Sequence, residues 1–359
     1  MLMSRVVVFL FALLCMLGPG RLWAEDTRSS VHKTEGHLAN IRQLTVGGKS
    51  AEAYFSFEGD KLIFQSTKGE DGKTIRACYQ MFVMDLDGSN IHRVSTGLGR
   101  ATCGYYFPGG RRVLFSSTHL RSPNCPPKLK KSHRYRWALD DYDIYSVKID
   151  GQHLQRLTTT PGYDAEATIS PDGKTVVFTS VRDGDLDLYT MRLDGTKFKR
   201  LTHEVGYDGG GFFSPDSRRI VYRAYHPDSQ EDIQRYRDLL GQNLVEPSIL
   251  EIFIMNADGS DRQQVTANGA SNFAPFFHPD GRRIIFSSNL SSREGSQGRP
   301  SFHLYLVNDD GTGLEQITFQ GHFNSFPMFS PDGTKLVWAS DRNTTGPREF
   351  NVFLADWVP

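Results

Sequence analysis

The sequence predicts an all-β fold: a six-bladed β-propeller of four-stranded blades, closed by an N-terminal strand that completes the last blade. Three observations predict it. A Ser-Pro-Asp-Gly turn followed by a β-branched or aromatic run recurs along the chain. An Asp-Gly pair at the end of an alternating apolar run recurs between these turns, at a fixed distance from the next one. The two ends carry complementary parts of an unfinished repeat.

The first mark stands at Ser170-Pro171-Asp172-Gly173, Ser214-Pro215-Asp216-Ser217, His278-Pro279-Asp280-Gly281 and Ser330-Pro331-Asp332-Gly333. Ser56-Phe57-Glu58-Gly59 and Phe107-Pro108-Gly109-Gly110 are degenerate copies, which makes six. The second mark is Asp87-Gly88, Asp150-Gly151, Asp194-Gly195, Asp258-Gly259 and Asp310-Gly311. Asp-Gly between alternating apolar runs signals a hairpin, because glycine takes positive φ without steric cost. From the Asp of each second mark to the equivalent position of the next first mark there are always 22 residues; the return distances are 29, 41, 22, 42 and 30. Half of every repeat is therefore fixed in length and the other half accepts insertions.

Four strands per repeat, A to D, follow from these marks: A and B flank the first, C and D the second. Repeats of this kind stack radially as propeller blades. The insertions all fall between B and C. In an up-and-down blade the B–C and D–A connections share one face, so the insertions mark the face where loops carry function. The last repeat ends on Asn351-Val352-Phe353-Leu354, a strand C with no D after it, whereas Ile41-Arg42-Gln43-Leu44-Thr45 reads as a D with no C before it. Pairing them removes an open sheet edge and gives a propeller over residues 37–359, after a short segment at 25–36.

Residues 1–24 read as a secretory signal. Arg5 precedes an apolar run from Val6 to Leu17, Gly18-Pro19-Gly20 breaks it, and Leu22-Trp23-Ala24 offers a cleavage site. The run is short for a bilayer span, and Leu14 stands where a lipid-attachment site at Cys15 needs a small residue. The expected location is therefore periplasmic or secreted, with no membrane span after cleavage. Export permits disulfides. Of Cys78, Cys103 and Cys125, which allow three single pairings, one bridge involving Cys103, with Cys78 or Cys125, is expected.

The 38% hydrophobic and 23% charged residues fit a soluble globular chain. The formal net charge of +0 gives no general attraction to nucleic acid or an anionic membrane. One local exception is the basic stretch with Lys128, Lys130, Lys131, His133, Arg134 and Arg136, interleaved with Tyr135 and Trp137. It reads as a solvated loop, or as a contact for an anionic polymer.

Ser-Pro-Asp-Gly before a β run, and Met255-Asn256-Ala257-Asp258-Gly259 before Val265-Thr266, resemble the repeats of the TolB-type propeller family. The resemblance covers nearly the whole chain after residue 24. It implies a noncatalytic scaffold that binds a protein or peptide partner in the cell envelope and acts as a monomer.

Candidate site residues lie on the loop face. Six residues before the first mark stand Asp164, Asp208, Asn272 and Asn324, with Ser50 and Ala101 in the other two blades. Repeat-equivalent positions form a ring, and oxygen ligands at a channel mouth could hold a divalent cation, chiefly through Asp164 and Asp208. Capping of the turn into strand A is the structural reading. Glu52 and Glu166 lie two residues further on. Tyr163 and Tyr207 repeat in adjacent blades as a recognition shelf or as packing between blades. The blade 4 insertion, 224–248, predicts a short helix within 232–240, with Ile233, Tyr236, Arg237 and Leu240 on one face and Arg223 and His226 at its base. Asp183, Asp185 and Asp187 read as a tight turn at Gly184 rather than a calcium loop.

No Gly-x-Ser-x-Gly elbow, zinc helix or phosphate loop occurs. The expected function is noncatalytic partner binding without a cofactor and without nucleic acid. Two alternatives remain: a propeller hydrolase or lyase with a metal ion in the channel, and glycan binding through the loop-face aromatics.

Overall fold

A computed structural model describes residues 34–359 apart from 70–72, 74–77, 131, 133, 293–299, 345 and 347–348. The expected secretory segment lies outside the described residues. No helix among the described residues is long and apolar enough to cross a membrane.

Six four-stranded antiparallel sheets form six blades. Strands A are Ser50–Phe55, Ala101–Tyr106, Asp164–Ile169, Tyr207–Phe213, Asn272–Phe277 and Asn324–Phe329. Strands B are Lys61–Ser66, Arg112–Ser117, Thr175–Ser180, Arg219–Tyr225, Arg283–Ser288 and Lys335–Ser340. In blade 6, strand D is Leu38–Gln43, paired with strand C, Asn351–Trp357. The chain is thus closed by its N-terminal strand.

The first mark works through its side chains. The serine hydroxyl donates to the aspartate two residues on, at 2.6 Å in Ser170–Asp172 and 2.5 Å in Ser330–Asp332. It also accepts the backbone N–H five residues on, at 3.0 and 2.9 Å. The turn is closed by local bonds of the kind serine and aspartate make best.

A second repeated bond explains the Leu-Thr endings. The hydroxyl after strand D accepts the backbone N–H of a strand C residue. Met81 bonds Ser95 at 3.0 Å, Ile144 bonds Thr158 at 2.9 Å and Leu188 bonds Thr202 at 3.0 Å. Ile252 bonds Thr266 at 2.9 Å and Leu304 bonds Thr318 at 2.8 Å. In blade 6, Val352 bonds Thr45 at 2.9 Å. Thr45 comes from the opposite end of the chain, yet makes the bond its blade position demands.

The main core lies between the sheets of neighbouring blades, filled by alternate side chains such as Phe115, Phe178, Phe286 and Val337, all essentially buried. A separate apolar cluster joins Leu139, Leu186, Tyr207, Tyr236, Val245 and Leu250 beneath the loop-face insertions.

Those insertions form a strap. Trp137–Ala138 of blade 2 pairs with Leu244–Val245 of blade 4 as a two-stranded sheet. Helix α1, Gln230–Leu240, belongs to the same blade 4 insertion. It begins at Ser229, whose hydroxyl accepts the Asp232 backbone N–H at 3.0 Å, a standard N-cap. The helix buries Tyr236 and Leu239, with Ile233 and Leu240 half-buried; Arg237 is exposed, so the expected face is shifted off that arginine. The Tyr236 hydroxyl donates to Asp185 at 2.5 Å and sits 2.6 Å from the Gly206 carbonyl. Blade 3 has the shortest B–C connection, and its two neighbours' insertions meet beside it.

The disulfide differs from expectation. Cys78 pairs with Cys125, linking the blade 1 connection to the blade 2 insertion, and Cys103 is free. The reason is placement: Cys103 lies on an innermost strand, while Cys78 and Cys125 both lie on loop-face connections.

Candidate functional site

The channel is built by the residue two places after Ser50, Ala101, Asp164, Asp208, Asn272 and Asn324, the third of strand A in five blades and the fourth in blade 4, whose strand begins one residue earlier at Tyr207. In all six blades the A–B pairing slips at this point, for example between Ala165 and Thr168. That residue takes positive φ each time: Glu52 at 49°, Cys103 at 52°, Glu166 at 58°, Gly210 at 63°, Ala274 at 51° and Phe326 at 55°. A bulge of this kind re-aims a side chain, and five of the six positions carry it without glycine.

The six residues divide the ring in two. Blades 1 to 3 contribute Glu52, Cys103 and Glu166; blades 4 to 6 contribute no polar side chain. Gln65, on strand B of blade 1, donates its amide to Glu52 at 3.1 Å, while its carbonyl accepts from the Thr102 hydroxyl. Burial pushes the Glu52 carboxyl up to about 7, against a hydrogen bond from Cys103 that pulls it down; the charge of Glu166 adds to the rise. Burial, then the neighbouring carboxylates, pushes the Cys103 thiol well above its ordinary value.

Arg223 supplies the balancing charge. It lies on strand B of blade 4, is 6% exposed, and pairs with Glu166 of blade 3. Its guanidinium lies 5.4 Å from the Trp137 ring and 5.3 Å from the Tyr207 ring. The glycine run of strand A makes room for it: a Cβ at Gly210 would stand 2.0 Å from Arg223 Nη1. Arg223 Nε has no partner among the described residues.

Two residues deeper, the channel is closed. Two places on in strands A stand Tyr54, Tyr105, Phe212, Phe276 and Met328. Tyr54 of blade 1 meets Phe212 of blade 4, across the axis, with ring centroids 5.4 Å apart. Tyr105 and Phe276 each meet Phe212, at 6.1 and 5.4 Å. The polar half-ring therefore faces the loop side over an aromatic floor.

The structure does not bring the four Asx residues together. Each is buried and bonded to the end of strand B of its own blade or to the residue after it, while Asn272 also donates to Glu251 of blade 4 at 2.9 Å and Asn324 to the Gln320 carbonyl at 2.9 Å. Asp164 accepts from Ser180 at 2.5 Å and Arg182 at 3.0 Å. Asp208 meets His226 at 3.1 Å and leaves one carboxylate oxygen without a partner among the described residues. Asn272 accepts from Ser288 at 2.6 Å and Asn324 from Ser340 at 2.8 Å. Asp164, Asn272 and Asn324 latch strand A to strand B, because the first residue of A stands opposite the last of B. His226 faces Asp208 and Glu204, not the Glu166–Arg223 pair. No group of three or more metal-type ligands occurs among the described residues.

Tyr207 is buried between Trp137 and the Glu166–Arg223 pair, and Tyr163 is half-buried against Tyr142 at 5.8 Å. They pack rather than form an exposed shelf. Asp183 and Asp185 accept from Tyr189 and Tyr236, and Asp187 from Arg200 and Thr202, as befits a turn. Glu166 and Arg223 are the expected site residues that meet in the channel. Cys103 and Gln65 were not expected there. The signal for Cys103 was present: it stands two residues after Ala101, as Glu52 and Glu166 do after Ser50 and Asp164.

The family model of the TolB beta propeller domain matches residues 137–242 and 239–356. A protein TolB homolog of Chlorobium luteolum is 28% identical over 144 residues, covering 30% of this chain and 33% of its own length. The chain's matches span about a third of the length of such curated relatives. The structure of a putative TolB from Agrobacterium tumefaciens superposes with a TM-score of 0.57 at 19% identity, covering 89% of this chain and 97% of that one. An oligogalacturonate lyase from Vibrio parahaemolyticus does so with 0.51 at 13%, covering 89% and 93%. At these identities the structural likeness speaks for the fold alone.

Proposed function

We propose that this chain, which belongs to the TolB β-propeller family, is an exported, noncatalytic scaffold that binds a protein or peptide partner at the loop-face mouth of its channel. The observation that carries the reading is the blind polar half-ring of Glu52, Cys103, Glu166 and Arg223 above the Tyr54–Phe212 floor. A blocked channel cannot pass a ligand through, so its open end is a docking surface. Trp137 and the strap raise one wall of that mouth with aromatic area, the kind of side chain that anchors protein interfaces. The family resemblance supports a place in the periplasm and partners in the envelope.

The test is capture from an envelope extract by the purified protein, with Glu52→Gln and Arg223→Gln beside the wild type. The expected result is one partner retained by the wild type and by a variant of the opposite face, Lys197→Glu, but lost with the channel variants. Equal capture by all of them would overturn the reading.

A further inference from the structure

The blade 2 insertion carries a surface that partner binding in the channel does not use. Between Cys125 and Trp137 it presents Lys128 and Lys130, both exposed and neither with a partner among the described residues. Leu129 between them is 43% exposed and Tyr135 is 72% exposed. Leu120, at the start of the same insertion, and Leu98, in the preceding D–A connection, are 58% and 40% exposed. These two segments are tied together, since the Gly99 N–H donates to the Pro123 carbonyl at 2.9 Å. Four of the eleven exposed large apolar side chains among the described residues thus belong to one region of the loop face.

Among the described residues, the charge of this region is uncompensated. The acids near it are already taken: Asp140 by Arg100 at 2.7 Å, Asp141 by Arg121 at 3.1 Å and Glu246 by Arg136 at 2.7 Å. The loop is also held at both ends. Cys125 is bonded to Cys78, and Trp137 pairs with Val245. Its side chains are therefore presented at small entropic cost, unlike those of a free tail.

We infer that this disulfide-anchored loop is a membrane-docking surface that seats the propeller on an anionic lipid bilayer. Lysines interleaved with exposed leucine and tyrosine suit the lipid interface: the ammonium groups meet lipid phosphates while the apolar parts enter the headgroup boundary. An anionic polysaccharide would use the charge but leave Leu98, Leu120 and Leu129 unexplained. With no net charge on the chain as a whole, attraction to such a surface is local and orients the molecule.

The experiment is co-sedimentation of the purified protein with phosphatidylcholine vesicles, with and without about one third phosphatidylglycerol. Binding is expected only to the anionic vesicles. Each basic side chain near such a surface contributes about a fivefold factor, so Lys128→Glu with Lys130→Glu lowers binding at least tenfold. Leu129→Asn with Tyr135→Ser, which leaves the charge alone, also weakens it, and Lys197→Glu on the opposite face does not. Equal binding to neutral vesicles, no effect of the lysine pair, or retention on soluble polygalacturonate with no vesicle binding would each overturn the inference.

Discussion

Arg223 of blade 4 reaches over the bare Cα of Gly210 to pair with Glu166 of blade 3, so one glycine decides whether two blades share a charge pair in the channel. Gly210→Ala would both strain a backbone at φ +63° and displace the guanidinium. The expected loss of unfolding free energy is about 2 kcal/mol or more, read by urea denaturation. Arg223→Met, which leaves the half-buried Glu166 without its cation, is expected to cost about 2 kcal/mol.

Glu52 makes stability depend on pH. Its carboxyl is raised from 4.5 to about 7, chiefly by burial. The folded chain therefore holds a proton that the unfolded chain releases earlier. That contribution is complete below about 4.5 and is lost as pH rises through about 7. Glu52→Gln is expected to flatten the decline between these values and to be the more stable form at pH 8, by an amount on the order of 1–3 kcal/mol. Chemical denaturation of both proteins at pH 4.5, 6 and 8 checks it; parallel curves would refute it.

The cysteines differ in chemistry. Thiol titration of folded protein should find Cys103 inert, because burial and the adjacent carboxylates disfavour its thiolate. Denaturation should expose it, and mass spectrometry after blocking should recover the Cys78–Cys125 peptide pair. The bridge closes a loop of 47 residues, for which the chain-entropy relation gives about 4 kcal/mol. Cys78→Ser with Cys125→Ser should lower the melting temperature accordingly.

Glu246 fastens the strap. It meets Arg136 at 2.7 Å, Arg235 at 2.5 Å and Arg134 at 3.8 Å, and its side chain is 6% exposed. Glu246→Ala should speed hydrogen exchange at Trp137, Ala138, Leu244 and Val245 by tenfold or more while the blade strands keep their protection. Unchanged exchange in the strap would show that its apolar contacts suffice.

Periodicity alone determined the blade count, the turns, the closing strand and the face that carries insertions. Those are local or repetitive properties: a Ser-x-Asp turn closes through its own side chains, and a strand lacking its partner must find one at the other end of the chain. What the repeat could not reveal was direction. The repeat-equivalent positions at the start of strands A looked like a ring, yet Asp164, Asp208, Asn272 and Asn324 are tied to the ends of strands B, while a bulge two residues on sends the next side chain of the repeat into the channel. The Glu166–Arg223 pair, the free Cys103 and the Cys78–Cys125 bridge each depend on which segments of different blades come within reach, and that distance exists only once the ring has closed.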